Sequence, residues 1–258
     1  MLVIIPQAKE MDMTAVKLQE DTTLPVFQME AEFLAGLMRN LSVHEISEKM
    51  QISESEATRI FDEYQKFDEI SAAPKAALFA FADEFYKAVA PKNLTPSDLH
   101  YSQKHLRILS AQYGVLRPLD LIKTYRIVFN LRLRDLGAEN VLDYWKDLLI
   151  QQLMADAKDA DGEVLYLGTY ETLKAIAVNA LSEKYKVTSI SFKDWRDEKW
   201  KELPEYADQA KGELVKSIMK DKIQTLDELK KWSWKGYKFD EKLSENMEWV
   251  FTRTTADE

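Results

Sequence analysis

The sequence predicts a mixed α/β (α+β) fold: a single mixed sheet flanked by helices, with a helix–hairpin–helix-like helical subdomain. Three observations carry this. Short branched or alternating apolar runs at Leu2 to Ile5, Glu163 to Leu167, Val187 to Phe192 and Trp249 to Arg253 have the length and pattern of strands. Between them lie longer stretches with apolar residues at helical spacing. Two S-x-x-E boxes, Ser42/Glu45 and Ser53/Glu56, mark two helix starts in close succession. Strands interspersed with helices pack as layers around one core.

Taken in order, Leu2 to Ile5 is a buried strand closed by Pro6. Residues 7–26 read as a loop, with Asp21-Thr22-Thr23 and Pro25 as turn chemistry. Phe27 to Asn40 is a helix, with apolar positions Phe33, Leu34, Leu37, Met38 and Leu41 at helical spacing. Residues 41–67 are two short helices, the first capped by Ser42 and the second by Ser53, joined at Met50-Gln51-Ile52. Ala76 to Phe81 is expected as a strand and Asp83 to Val89 as a helix. A helix from Pro96 runs through His105, and Arg107 to Ser110 is a strand leading into the turn Gln112-Tyr113-Gly114. Ala138 to Lys158 is a long amphipathic helix ended by Asp161-Gly162. Glu171 to Ala180, Ala207 to Lys222 and Thr225 to Lys231 complete the helices. No repeat, low-complexity tract or flexible linker divides the chain. One domain over residues 1–258, including a helical subdomain at about 28–70, is the simplest organisation.

Composition narrows the function. At 258 residues, with 46% hydrophobic and 11% aromatic side chains, the chain can bury a substantial core. The absence of cysteine excludes disulfides, thiolate nucleophiles, Cys-ligated zinc and iron–sulfur clusters. No apolar run has membrane-spanning length and no signal peptide is present, so a cytoplasmic protein with no membrane partner is expected. The seven glycines form neither G-x-G-x-x-G nor G-x-x-x-x-G-K-[ST], so nothing supports a Rossmann or P-loop nucleotide site. His44, His100 and His105 lack metal-ligand spacing, and no cofactor or metal is expected.

Charge singles out one stretch. From Lys104 to Arg134 the cations are Lys104, Arg107, Arg117, Lys123, Arg126, Arg132 and Arg134, and Asp120 is the only acid. This stretch carries +6 within a chain of net charge −9, which itself argues against a generally basic coat. Arginine is the better residue for forked contacts to phosphate. Arg107, Arg117 and Arg126 are therefore candidates to converge on an anion, with Tyr113 and Tyr125 as stacking faces. The bland alternative is that each arginine pairs with one of the chain's 44 acids and that both tyrosines are core.

The same stretch carries a family resemblance. Leu109-Ser110-Ala111-Gln112-Tyr113-Gly114-Val115-Leu116-Arg117-Pro118-Leu119-Asp120, with Tyr125-Arg126 downstream, resembles the L-S-G-L-Y-G-V-L-R-P-L-D and P-Y-R signature of the YaaA peroxide-stress family. Ala8-Lys9 resembles the end of the family's S-P-A-K, Phe81 to Tyr86 its F-K-G-D-V-Y, Leu167 to Glu171 its L-A-S-x-E, and Ala210-Lys211-Gly212 its A-R-G. Gly236 to Asp240, Ser244 and Val250 to Arg253 resemble the C-terminal end. The departures are Pro6 in place of the serine, Val128 in place of a glutamate, Ala82 in place of a glycine and Lys211 in place of an arginine.

The resemblance implies a cytoplasmic protein of the peroxide response that limits iron-driven damage and binds DNA through a basic cleft and a helix–hairpin–helix element. The residues implied for DNA or anion binding are Lys9, Arg107, Tyr113, Arg117, Tyr125, Arg126, Lys174 and Lys211, in a protein expected to be a monomer. The second helix of the pair, with Glu54, Glu56, Asp62 and Glu63, is too acidic for simple groove reading. The rival reading is an enzyme acting on a nucleotide or other phosphorylated small molecule held by the same cations, with Asp120 or Glu171 as acid/base. No established catalytic motif supports it, so a non-enzyme is the primary expectation. A third reading is an interaction partner that has lost the family's activity along with the missing serine and glutamate.

Overall fold

The computed structural model describes residues 1–18, 20–69, 73–168 and 178–254. Its centre is a nine-stranded mixed sheet. Strand β1 (Leu2–Pro6) lies between β3 (Leu106–Ser110) and β6 (Glu163–Tyr166), parallel to both. β6 continues in parallel to β7 (Lys186–Arg196), and β7 to β11 (Glu248–Arg253). The antiparallel edges are β4 (Gly114–Leu116) beside β3, and β10 (Tyr237–Asp240) with β9 (Ser233–Trp234) beyond β11. β8 (Lys199–Lys201) folds back on the end of β7. β2 (Lys75–Ala76) and β5 (Leu121–Ile122) form a separate two-stranded ladder.

The buried centre explains the most apolar runs. Leu2, Val3, Ile4 and Ile5 are all at most 1% exposed, as a strand covered on both faces requires. From β1 the chain adds β3 on one side and then β6 on the other. Its progression across the sheet therefore reverses at β1, and the carboxyl ends of these strands flank the kind of crevice where open α/β sheets hold ligands.

The helices follow their caps. α1 (Gln28–Arg39) turns Ala31, Leu34, Ala35 and Met38 inward. α2 (Val43–Met50) has a complete capping box, in which Ser42 accepts from the Glu45 N–H and the Glu45 carboxylate accepts from the Ser42 N–H. α3 (Glu54–Gln65) is capped by Ser53 alone, because the Glu56 carboxylate turns instead to Arg126. Gln51 joins the pair in the left-handed conformation, φ +55°, which closes α2 tightly. α6 (Pro96–His105) starts at a Thr95/Asp98 capping box, and α7 (Val141–Asp159) at Asn140. The later helices are Val178–Ser182, Pro204–Asp221 and Leu226–Leu229.

One expected element is corrected. Ala76 to Phe81 is not a strand: only Lys75–Ala76 pairs as β2, and Ala77–Ala80 is a helical turn, α4. The alanine-rich AALFA segment favours the helix, while the N–H groups of Ala77 and Leu78 bond Asp120 and Pro118 carbonyls. The expected Asp83 helix is α5 (Glu84–Val89), with Asp83 as its cap. β7 is longer than its alternating core predicts, because it extends into the hairpin with β8. In the helix expected from Glu171 to Ala180, residues 171–177 lie outside the described residues. Gly212 brings Pro204–Asp221 against α5: a Cβ there would stand 2.3 Å from the Phe85 carbonyl oxygen.

Candidate functional site

The signature sequence folds into a buried polar network at the carboxyl ends of β1 and β3. The Ser110 hydroxyl accepts the Gln112 and Tyr113 N–H groups at 3.2 and 3.0 Å, which closes the turn after β3. It then donates to the Tyr125 hydroxyl at 2.7 Å, which in turn donates to Gln7 Oε1 at 2.9 Å. Gln7 Oε1 also accepts the Ala111 N–H, and its Nε2 donates to the Ile127 carbonyl. Tyr113 accepts the Lys123 N–H, and the Tyr113 and Tyr125 rings meet edge-on at 5.5 Å. Both rings are at most 4% exposed, so neither presents a stacking face. Burial pushes both phenols far up, Tyr125 more than Tyr113, and both stay neutral. Gly114 (φ +70°) completes the turn under Trp145, whose indole N–H donates to the Ala111 carbonyl.

The cations of the stretch divide into two kinds. Arg107 is 6% exposed and forms a two-pronged pair with Asp156 of α7, with Nε and Nη2 each 2.8 Å from a carboxylate oxygen. Its Nη1 donates to the Gln103 and Leu106 carbonyls. Arg126 pairs with Glu56 of α3, and Lys211 with Glu202 at 3.1 Å. Lys123 donates to the Phe67 carbonyl. Arg117 and Lys9 are exposed. A cavity of about 160 Å³ is lined by Arg107, Arg117, Asp120, Gln152 and Asp156 among others. Arg126, Lys9 and Lys211 do not line it.

The acid candidates are also structural in their contacts. Asp120 is 2% exposed and accepts the Thr23 hydroxyl at 2.5 Å and the Arg117 N–H at 2.7 Å, pinning the N-terminal loop to the turn before β5. Burial raises its carboxyl above the ordinary range. Burial likewise raises Asp83, whose carboxylate caps α5 through the Tyr86 N–H. Glu171 and Lys174 lie outside the described residues.

Two more exposed cations of the stretch lie on a segment whose pattern is plain in the sequence but whose place is not. In Leu131-Arg132-Leu133-Arg134 both leucines are buried and both arginines exposed. The period of two is that of an extended chain with one face on the core. Lys49 of α2 donates to the Arg132 carbonyl at 3.3 Å, which fixes the segment beside the helix pair. Arg134 helps hold the Glu45 carboxyl low, after the larger effect of its hydrogen bonds to Ser42. Arg132 meets Glu139 at 2.6 Å in an exposed pair, worth at most about 1 kcal/mol and readily exchanged. Lys49 and Arg132 thus lie beside the last turn of α2, and Arg134 near Glu45 in its first turn.

Comparison with known proteins accords with the signature. A family model described as peroxide stress protein YaaA matches residues 1–243. A UPF0246 protein of Parabacteroides distasonis is 31% identical over 252 residues, covering 97% of this chain and 99% of its own length. One from Bacteroides thetaiotaomicron is 32% identical over 251 residues, covering 97% and 98%. One from Clostridium botulinum (strain Eklund 17B / Type B) is 33% identical over 254 residues, covering 98% and 99%. Among the described residues, no helix is long and apolar enough to cross a membrane. With the signature turn, its supporting network and these full-length matches, the chain belongs to the peroxide stress protein YaaA family.

Proposed function

We propose that this protein acts in the peroxide stress response as a cytoplasmic monomer that binds duplex or structured DNA by its phosphates. The family supports the stress role. The observation that supports the DNA reading is the Leu131 to Arg134 segment laid along α2, with the Arg132 carbonyl bonded to Lys49 and Arg134 near Glu45. It supplies exposed cations where the helix pair alone is acidic. A hairpin of this kind offers phosphate the free N–H groups of the first turn of α3, and Lys49, Arg132 and Arg134 supply the charge. Contacts of this type carry no base information, so binding is sequence-independent and salt-sensitive. On this reading the protein limits iron-driven damage by covering DNA rather than by chemistry on iron.

The rival, an enzyme whose cations clamp a phosphorylated small molecule, has less support. Arg107, Arg126 and Lys211 each already face a carboxylate of the chain. Asp120 has both oxygens engaged. The test is fluorescence anisotropy with a labelled duplex at low salt, wild type against Lys49→Ala/Arg132→Ala/Arg134→Ala. The reading requires binding by the wild type and a loss of at least about tenfold in the triple variant, each phosphate contact being a modest electrostatic term. Undiminished binding by the variant, or none by the wild type, rejects it.

A further inference from the structure

The chain holds nine methionines and no cysteine, so methionine is its only oxidisable sulfur. The surroundings of the nine differ. Met1, Met38 and Met219 are buried in the core. Met11, Met13, Met50 and Met154 are half-buried and pack against it. Met247 is 45% exposed, and Met29 is 81% exposed. Reaction of a thioether with a small oxidant follows access to the sulfur, so the structure ranks these groups.

Met29 also stands in a surface that packing does not explain. It is the second residue of α1, and Phe33, four residues on, shares its face of the helix. Leu24 and Val26 lie on the segment that leads into α1. All four side chains are exposed. A single exposed apolar residue is ordinary, whereas a group of them is the informative case. α1 is anchored by Ala31, Leu34, Ala35 and Met38, which are buried, so a change at Met29 leaves that anchorage intact.

We infer that Met29 is the site at which hydrogen peroxide modifies this protein. A lone pair of the thioether sulfur attacks one peroxide oxygen, and the S–O bond forms as the O–O bond breaks. The sulfur loses two electrons and the peroxide gains them. The departing hydroxide takes the proton from the transferred oxygen and leaves as water. The product is methionine sulfoxide, a polar group within that apolar surface. A methionine sulfoxide reductase supplied with a dithiol reverses the step: the dithiol becomes a disulfide and the oxygen leaves as water. The inference takes its oxidant from the stress role of the family, and the DNA reading plays no part in it.

The test is peptide mapping by mass spectrometry of the folded full chain after brief treatment with dilute hydrogen peroxide. Met29 should gain one oxygen first and Met247 next. The other seven should react at least about tenfold more slowly than Met29, since susceptibility follows exposure. In concentrated urea all nine should react at similar rates. Hydrophobic-interaction chromatography reads the surface directly: treated wild type should elute earlier than untreated, and Met29→Leu should shift far less under the same treatment. The exposure of Met29 makes Met29→Leu neutral for folding. Oxidation of a core-packed methionine as fast as Met29, a preference for Met29 that survives in urea, or an equal chromatographic shift in Met29→Leu overturns the inference. Neither readout involves DNA, so the result is independent of duplex binding.

Discussion

Arg107 illustrates how the structure redistributes the basic stretch, and its replacement by alanine tests that directly. The guanidinium and the Asp156 carboxylate are each about 7% exposed at the side chain and meet through two 2.8 Å bonds. Two further bonds hold Nη1 on β3 and α6 carbonyls. Arg107→Ala leaves Asp156 buried with Gln152 as its remaining side-chain partner, and removing one partner of such a pair costs about 3–5 kcal/mol. In a chain of this length 1 kcal/mol corresponds to roughly 2–4 °C in Tm, so a fall of about 10 °C is expected. Asp156→Ala should cost a similar amount. Arg107→Met/Asp156→Leu should recover much of the loss, because apolar replacement of both partners removes the orphaned charge. Urea melts of wild type, Arg107→Ala, Asp156→Ala and Arg107→Ala/Asp156→Ala form a double-mutant cycle and read the coupling. The reasoning is refuted if Arg107→Ala melts within about 1 °C of wild type, a shift too small for loss of a buried pair. A folded, stable Arg107→Ala that has lost duplex binding would make Arg107 a ligand residue instead.

Gly114→Ala should destabilise by at least about 1 kcal/mol, since its φ of +70° strains an L-residue and its Cβ would stand 2.8 Å from Trp145; thermal unfolding followed by tryptophan fluorescence checks it. Gln7→Ala should lower Tm more than an exposed substitution at Lys9, because it orphans the Tyr125 hydroxyl, the Ala111 N–H and the Ile127 carbonyl together. His105 has a lowered pKa, chiefly through burial, despite its hydrogen bond to the Met1 carbonyl. The folded state therefore prefers the neutral ring, and its contribution is present above the ordinary value of about 6.5 and is lost as pH falls through the folded pKa. The urea midpoint should fall between pH 7.5 and pH 5.5, and His105→Gln should flatten that fall; equal pH dependence in the two proteins would contradict the assignment.

The elements with strong local chemistry were legible in sequence. The capping residues Ser42 and Ser53 start their helices as the capping pattern predicts. The branched run at Leu2 became the central strand. The short strands β4, β5, β8, β9 and β10 were not foreseen, since two to four residues carry no usable period and their pairing is set by distant partners. The misread Ala76 to Phe81 segment had strand-like aromatics but a helix-forming alanine framework. At the site, charge counting singled out a stretch without telling paired cations from free ones. Asp156, Glu56 and Glu202, which occupy Arg107, Arg126 and Lys211, lie far off in the sequence or on another element. The alternation Leu131-Arg132-Leu133-Arg134 was the available signal for the exposed pair. Its position against α2 depends on Lys49, whose link to Arg132 no local pattern contains.

The central claim is that DNA is held by phosphate contacts from Lys49, Arg132 and Arg134 and not by the buried arginine of the signature. Its most direct measurement is the slope of log Kobs against log salt for one duplex. Each phosphate-contacting cation removed should lower the magnitude of that slope by about 1. The account predicts that Lys49→Ala/Arg132→Ala/Arg134→Ala loses about 3 units of slope, the sum of three such contacts, while a folded Arg107→Met/Asp156→Leu protein keeps the wild-type slope. The reverse pattern would place the DNA on the signature stretch and contradict it.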